Sequence, residues 1–180
     1  VAHEGSHWVL RRCRFLDIRE KAFTAHNGGY QVCQRFWISD NLFQSGCTWP
    51  RSKGIEAPAG MKLSGAGHVV CFNRFESMGD GIHGTDHGNL FASDYCQNDL
   101  NILTDDGMET DYAVFNVRVF HNRIVNVHHA ITAQPIKGGP VYLFRNVIYN
   151  AVSSPFKLPT HTSGVLILHN TCIKQGGAFS

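Results

Sequence analysis

The sequence predicts an all-β chain wound as a right-handed parallel β-helix of about seven turns, with roughly 24 residues per turn. Three observations predict it. The segments "VVCFNRFES" (69–77), "VRVFHNRIVN" (117–126), "VYLFRNVIYN" (141–150) and "VLILHNTCIK" (165–174) repeat one pattern, an apolar strand running into Asn-x-apolar. The asparagines Asn73, Asn98, Asn122, Asn146 and Asn170 fall at intervals of 25, 24, 24 and 24 residues. Within each segment apolar residues alternate with period two, the mark of strands and not of a 3.6-residue helix. A fixed period with one short β-unit per repeat is the signature of a solenoid, whose turns stack about 4.8 Å apart.

Alternation assigns the faces of each strand. Three residues before the Asn, Leu10, Ile38, Val70, Tyr95, Val119, Leu143 and Ile167 form one expected core column. Two residues after it, Phe15, Phe43, Phe75, Leu100, Ile124, Ile148 and Cys172 form another. The asparagines, headed by Asn41 and by Cys13 in the place of an earlier one, form a ladder at a bend, each amide bonding the next. A second short strand follows at "DGIH" (80–83), "DGME" (106–109), "HAIT" (129–132), "SPFK" (154–157) and "GAFS" (177–180), with Ile82, Met108, Ile131, Phe156 and Phe179 turned inward. "KGIE" (53–56) is a further candidate turn, which would place Glu56 at the head of the outward column. An irregular insertion spans about 44–62 within a single domain of residues 1–180, expected to be part of a longer chain or capped by a partner.

Composition excludes several functions. The formal charge is +2 with 17% charged residues and no Lys/Arg run, which argues against nucleic acid. No stretch approaches the roughly 18 apolar residues of a membrane span. The six cysteines have no CxxC spacing, against a zinc site of the usual kind. Cys71 and Cys96 would stack on adjacent turns, within reach of a disulfide. Outward positions Cys71, Cys96, Phe120, Phe144 and Leu168 form an apolar stripe, expected to meet a second copy, a flanking loop or another domain.

The phrases "NVRVFHNRI" and "GVLILHNT", and the repeat that contains them, resemble the right-handed β-helix proteins of the pectate lyase-like superfamily. The resemblance covers most of the chain, best from Gly67 to Gly177. It implies a secreted, extracellular or periplasmic protein that acts on or binds a polysaccharide, an acidic one by preference. In the lyases of that superfamily, acids bind a calcium ion that neutralises the substrate carboxylate, and a basic side chain removes the neighbouring proton.

The register brings the chemistry-bearing residues together. "LTDDGMETD" (103–111) concentrates Asp105, Asp106, Glu109 and Asp111. Stacking the second strands forms one column of Asp80, Asp106, His129 and Ser154, and another of His83, Glu109, Thr132 and Lys157. The second is expected to face solvent, and Asp86 and Asp111 to lie in adjoining loops. Stacked carboxylates repel and call for a cation, a shared proton or a function. The candidates are therefore Asp80, Asp106, His129, His83 and Lys157 for catalysis, Glu109 and Thr132 for substrate contact, and Asp80, Asp105, Asp106 and Glu109 as oxygen ligands for Ca2+. His129 or Lys157 would be the base of a lyase. Paired carboxylates would instead serve a glycoside hydrolase, about 5 Å apart for retention and about 6.5–9.5 Å for inversion. A non-catalytic carbohydrate-binding or cell-surface β-helix is the third reading.

Overall fold

Each repeat begins with a strand too short to bury its own apolar face, so the chain hides that face by stacking turn on turn. The computed structural model describes residues 5–25, 33–49, 58–85, 89–158 and 161–174. Its strands are parallel and form a β-solenoid of about six turns, one fewer than the repeat count suggests. No described residue is helical, and no helix is long and apolar enough to cross a membrane.

Three sheets run along the solenoid. A seven-strand sheet stacks Val9–Arg11, Trp37–Ser39, Val69–Cys71, Asp94–Cys96, Val117–Phe120, Val141–Phe144 and Val165–Leu168. A ten-strand sheet carries the segments after the asparagines, the longest being Asp99–Glu109, Arg123–Thr132 and Val147–Lys157. A five-strand sheet, from Gly5–Ser6 to Ala113–Phe115, closes the coil.

Both expected core columns are in register. Leu10, Ile38, Val70, Tyr95, Val119, Leu143 and Ile167 pair in sequence. So do Phe15, Phe43, Phe75, Leu100, Ile124, Ile148 and Cys172. Their central members are fully buried, while Leu10, Phe15, Ile167 and Cys172, at the two ends of the columns, are less covered. Phe15, Phe43 and Phe75 stack face to face at 4.9 and 5.0 Å, close to the strand separation, so ring stacking and backbone pairing reinforce one repeat distance. Each such buried side chain contributes roughly 1.5–3 kcal/mol.

The asparagine ladder is complete from Asn41 to Asn170. Each Nδ2 donates to the next Oδ1 at 2.9–3.1 Å and to a carbonyl of the preceding turn. Each Oδ1 also accepts the backbone amide of the residue one turn before. Every polar atom of the inner amides is thus used, which is the condition for burying them. The residue before each Asn, or before Cys13, turns the corner with a left-handed backbone: Arg12, Asp40, Phe72, Gln97, His121, Arg145 and His169 have φ of 54–58°. A second left-handed corner follows four residues after the ladder position, at Asp17, Ser77, Ile102, Asn126 and Asn150. There Asn150 donates to Asn126 and Asn126 to Asn101, a second and more exposed ladder that sequence reading passes over.

Four expectations need correction. The irregular insertion expected at about 44–62 overlaps a regular strand at its far end, Ala59–Leu63, which lies between Lys21–Ala25 and Asp80–His83. It aligns Met61 with Ile82 and Lys62 with His83, so Lys62 holds the place proposed for Glu56. Glu56 and "KGIE" themselves lie outside the described residues, as do Asp86, His87 and Phe179. The apolar stripe is exposed only in part: Cys71 and Cys96 are buried, Phe120 and Phe144 half-buried and stacked at 5.0 Å, and Leu168 is exposed. Cys71 and Cys96 do pair in register, but no disulfide joins them, and burial pushes the Cys96 thiol up to about 12.

Candidate functional site

The site lies on the ten-strand sheet, where Asp80–His83 and the distal halves of Asp99–Glu109, Arg123–Thr132 and Val147–Lys157 stack. The parent strands run on into this second segment through a register shift between Leu103 and Asp106, repeated between Val127 and His129. The shift re-aims the chain so that Asp106, His129 and Ser154 pair directly, with Ile82, Met108, Ile131 and Phe156 buried beneath them. Asp80 and Asp106 are joined by a hydrogen bond: the Asp106 amide donates to Asp80 Oδ1 at 3.0 Å.

The glycine after each aspartate has a steric reason. A Cβ on Gly81 would stand 2.5 Å from the Gly107 carbonyl oxygen, and one on Gly107 would stand 2.4 Å from that of Ala130. The Asp-Gly pairs are places of close backbone approach inside strands and not ordinary turns.

Two bonded groups make up the site. In the first, Asp106 is 2% exposed and ties two nitrogens. Its Oδ1 meets His129 Nδ1 at 2.8 Å and its Oδ2 accepts from Lys157 Nζ at 3.1 Å. Burial by itself would raise the Asp106 carboxyl, but His129 and Lys157 outweigh it and hold it below the usual range. Burial would likewise lower the Lys157 amine, and the Asp106 carboxylate holds it up. In the second group, His83 Nδ1 meets Glu109 Oε2 at 2.6 Å and the Gly84 amide donates to the same oxygen at 2.5 Å. That bond to Glu109 raises His83.

Two acids are held against ionisation. Asp80, 7% exposed, is pushed up to about 7 by burial and then by the charge of Glu109. Asp111 is pushed up to about 7 by the same two causes. Its Oδ1 accepts from Thr132 Oγ1 and from the Gln134 amide. The expectation for Thr132 therefore fails: it is fully buried under Asp111 and offers no surface to a substrate. The outward column as a whole is not a solvated face, since the side chains of His83, Glu109 and Lys157 are only 26%, 12% and 23% exposed. The residues just past these strands lie close together, since a Cβ on Gly84 would stand 2.9 Å from the Asp111 Cβ.

Of the residues singled out from sequence, Asp80, His83, Asp105, Asp106, Glu109, His129 and Lys157 do gather in one region. Asp111 joins them more closely than its place in a loop suggested, so the acids of 103–111 are neighbours in space as well as in sequence. The four acids expected to bind a cation divide between two clusters, Asp80 with His83 and Glu109, and Asp105 and Asp106 with His129. Each cluster presents one ligand atom per residue within 4.8 Å of the others. Two cavities lie elsewhere. One of about 230 Å³ is lined by apolar residues including Trp8, Phe23 and Phe36, and a second, open one is lined by Tyr149, Asn150, Ile173 and Lys174. No family model, curated protein or solved structure matches the chain.

Proposed function

We propose that this β-solenoid acts on an anionic polysaccharide by removing a proton next to a sugar carboxylate, as the resemblance to the pectate lyase-like superfamily implies. The observation that carries the reading is the Asp106–His129 pair. Asp106 holds Nδ1 of His129, and no hydrogen bond from a described residue reaches Nε2, so the ring has one nitrogen oriented and the other available as a base. Lys157 is the weaker candidate for that role, because Asp106 keeps its amine protonated; as an ammonium it suits the substrate carboxylate or the departing oxygen. A divalent cation held by the acids of this flank would offset the substrate's charge and make the C–H beside its carboxylate more acidic. His129 would take the proton as the C–O bond to the leaving sugar breaks, producing an unsaturated sugar and a new chain end. The polymer would lie along the sheet face that stacks these strands.

One observation favours a second reading. Asp80 is protonated up to about 7 while Asp106 stays ionised, the division of proton affinity that an acid and a base in a glycoside hydrolase require. A panel of anionic and neutral polysaccharides, with and without added divalent cations, separates the readings. Ultraviolet absorbance from unsaturated ends that is lost in His129→Ala supports elimination. New reducing ends without that absorbance support hydrolysis. Binding of a polymer with no turnover leaves a carbohydrate-binding module, and no binding by the wild type sinks all three.

A further inference from the structure

We propose that Asp80, His83 and Glu109 form a site for one divalent first-row transition ion, of the Zn2+ or Mn2+ class, and not for calcium. This deepens the reading above: it rests on that reading for what the ion would do and on these three side chains for where it binds.

Register builds the site. Ile82 pairs with Met108, so His83 and Glu109, one residue on, are neighbours on adjacent turns, and Asp80 opens the strand that His83 closes. One ligand atom from each lies within 4.8 Å of the other two. Metal–ligand bonds of about 2.0–2.2 Å would set those atoms roughly 3–4 Å apart, so the ion would replace the hydrogen shared by His83 Nδ1 and Glu109 Oε2 and spread that 2.6 Å pair slightly.

An independent feature marks the place. Asp80 is 7% exposed, its Oδ1 is taken by the Asp106 amide, and Oδ2 receives no hydrogen bond from any described residue. A buried carboxyl oxygen without a donor calls for a proton or a cation. Two outer partners orient the ligands as metal sites require: the Asp106 amide on Asp80 and the Gly84 amide on Glu109.

The donor set chooses the ion. Calcium takes six to eight oxygens, whereas one imidazole with two carboxylates suits first-row transition ions. The neighbouring cluster of Asp105, Asp106 and His129 is the poorer site, because the Lys157 ammonium already occupies one Asp106 oxygen and an ion would have to displace it.

The test is direct binding. Chelator-treated protein is titrated with Zn2+, Mn2+ and Ca2+ by calorimetry, with thermal unfolding in parallel and circular dichroism to verify the fold of each variant. The wild type is expected to bind one Zn2+ or Mn2+ per chain and to melt higher with it, with Ca2+ at least about tenfold weaker. His83→Ala and Glu109→Gln should each weaken binding by more than about 100-fold, beyond the roughly 10–100-fold that loss of an outer hydrogen-bond partner costs. No binding of either transition ion by folded wild type overturns the site. So does affinity unchanged in both variants, or affinity lost in His129→Ala and Asp105→Asn while His83→Ala binds normally. Stoichiometric binding without polysaccharide turnover would sink the enzymatic reading and leave the site standing. Turnover that survives chelation would leave the enzyme and remove the ion's part in it.

Discussion

Two columns of polar side chains run along this solenoid, one residue per turn, and they are built on opposite rules. The asparagine ladder repeats one side chain, so every turn presents the same donors and acceptors and each meets its complement. The column of Asp80, Asp106, His129 and Ser154 changes at every turn, and its charges match unevenly. Asp106 has an imidazole and an ammonium, while Asp80 has one backbone amide and a second oxygen with no donor from the described residues. Stacking imposes the same spacing on both. A uniform column spends that spacing on stability, and a varied one leaves proton affinities displaced in opposite directions, the pattern associated with functional sites.

Breaking the ladder should have the largest effect. Asn122→Ala strands the Asn98 backbone amide and the Tyr95 carbonyl in the core and takes one of its two donors from the Asn146 carboxamide oxygen. At about 1–3 kcal/mol for each buried group left without a partner, an overall loss of about 3–5 kcal/mol is expected in urea denaturation.

Next comes Asp106→Asn, which unpairs Lys157 and His129. The cost should be about 2 kcal/mol, below the roughly 3–5 kcal/mol of a fully buried pair because Lys157 is 23% exposed. Since the folded carboxyl of Asp106 lies below 3.8, its contribution is present above that value and is lost as pH falls through the folded one. The gap between variant and wild type should therefore close in acid, as read from melting curves across pH.

Asp80→Asn and Asp111→Asn should do the reverse in metal-free buffer. Both carboxyls are raised from 3.8 to about 7, so the folded state holds a proton that the unfolded chain releases, and wild-type stability falls as pH rises across that window. Each variant is expected to gain about 1–3 kcal/mol above pH 7 and nothing below 3.8. With Zn2+ added the two should part: Asp111→Asn keeps the metal's stabilisation and Asp80→Asn loses it.

The smallest effect concerns a corner. Ile102 adopts φ of 60°, a conformation unfavourable to a β-branched residue, in the column where Asn126 and Asn150 sit at ease. Ile102→Asn should stabilise by about 1 kcal/mol.

The sequence by itself determined the coil. A core column must repeat wherever turns stack, and an Asn ladder must repeat to satisfy itself, so both leave a period that one chain displays without help. Leu10 to Ile167 and Phe15 to Cys172 were legible for that reason, as were Asp80, Asp106 and His129 as neighbours. Lys62 was hidden by the insertion that broke the count before it. Thr132 and the Cys71–Cys96 pair were placed at the surface because alternation tells which way a side chain leaves its strand and nothing of what later folds over it. Only the tertiary structure decided how the charges pair. His83 turned to Glu109, Asp106 divided between His129 and Lys157, and Asp80 was left with a bare oxygen, because these choices depend on distances of a few tenths of an ångström across turns and on burial that no period records.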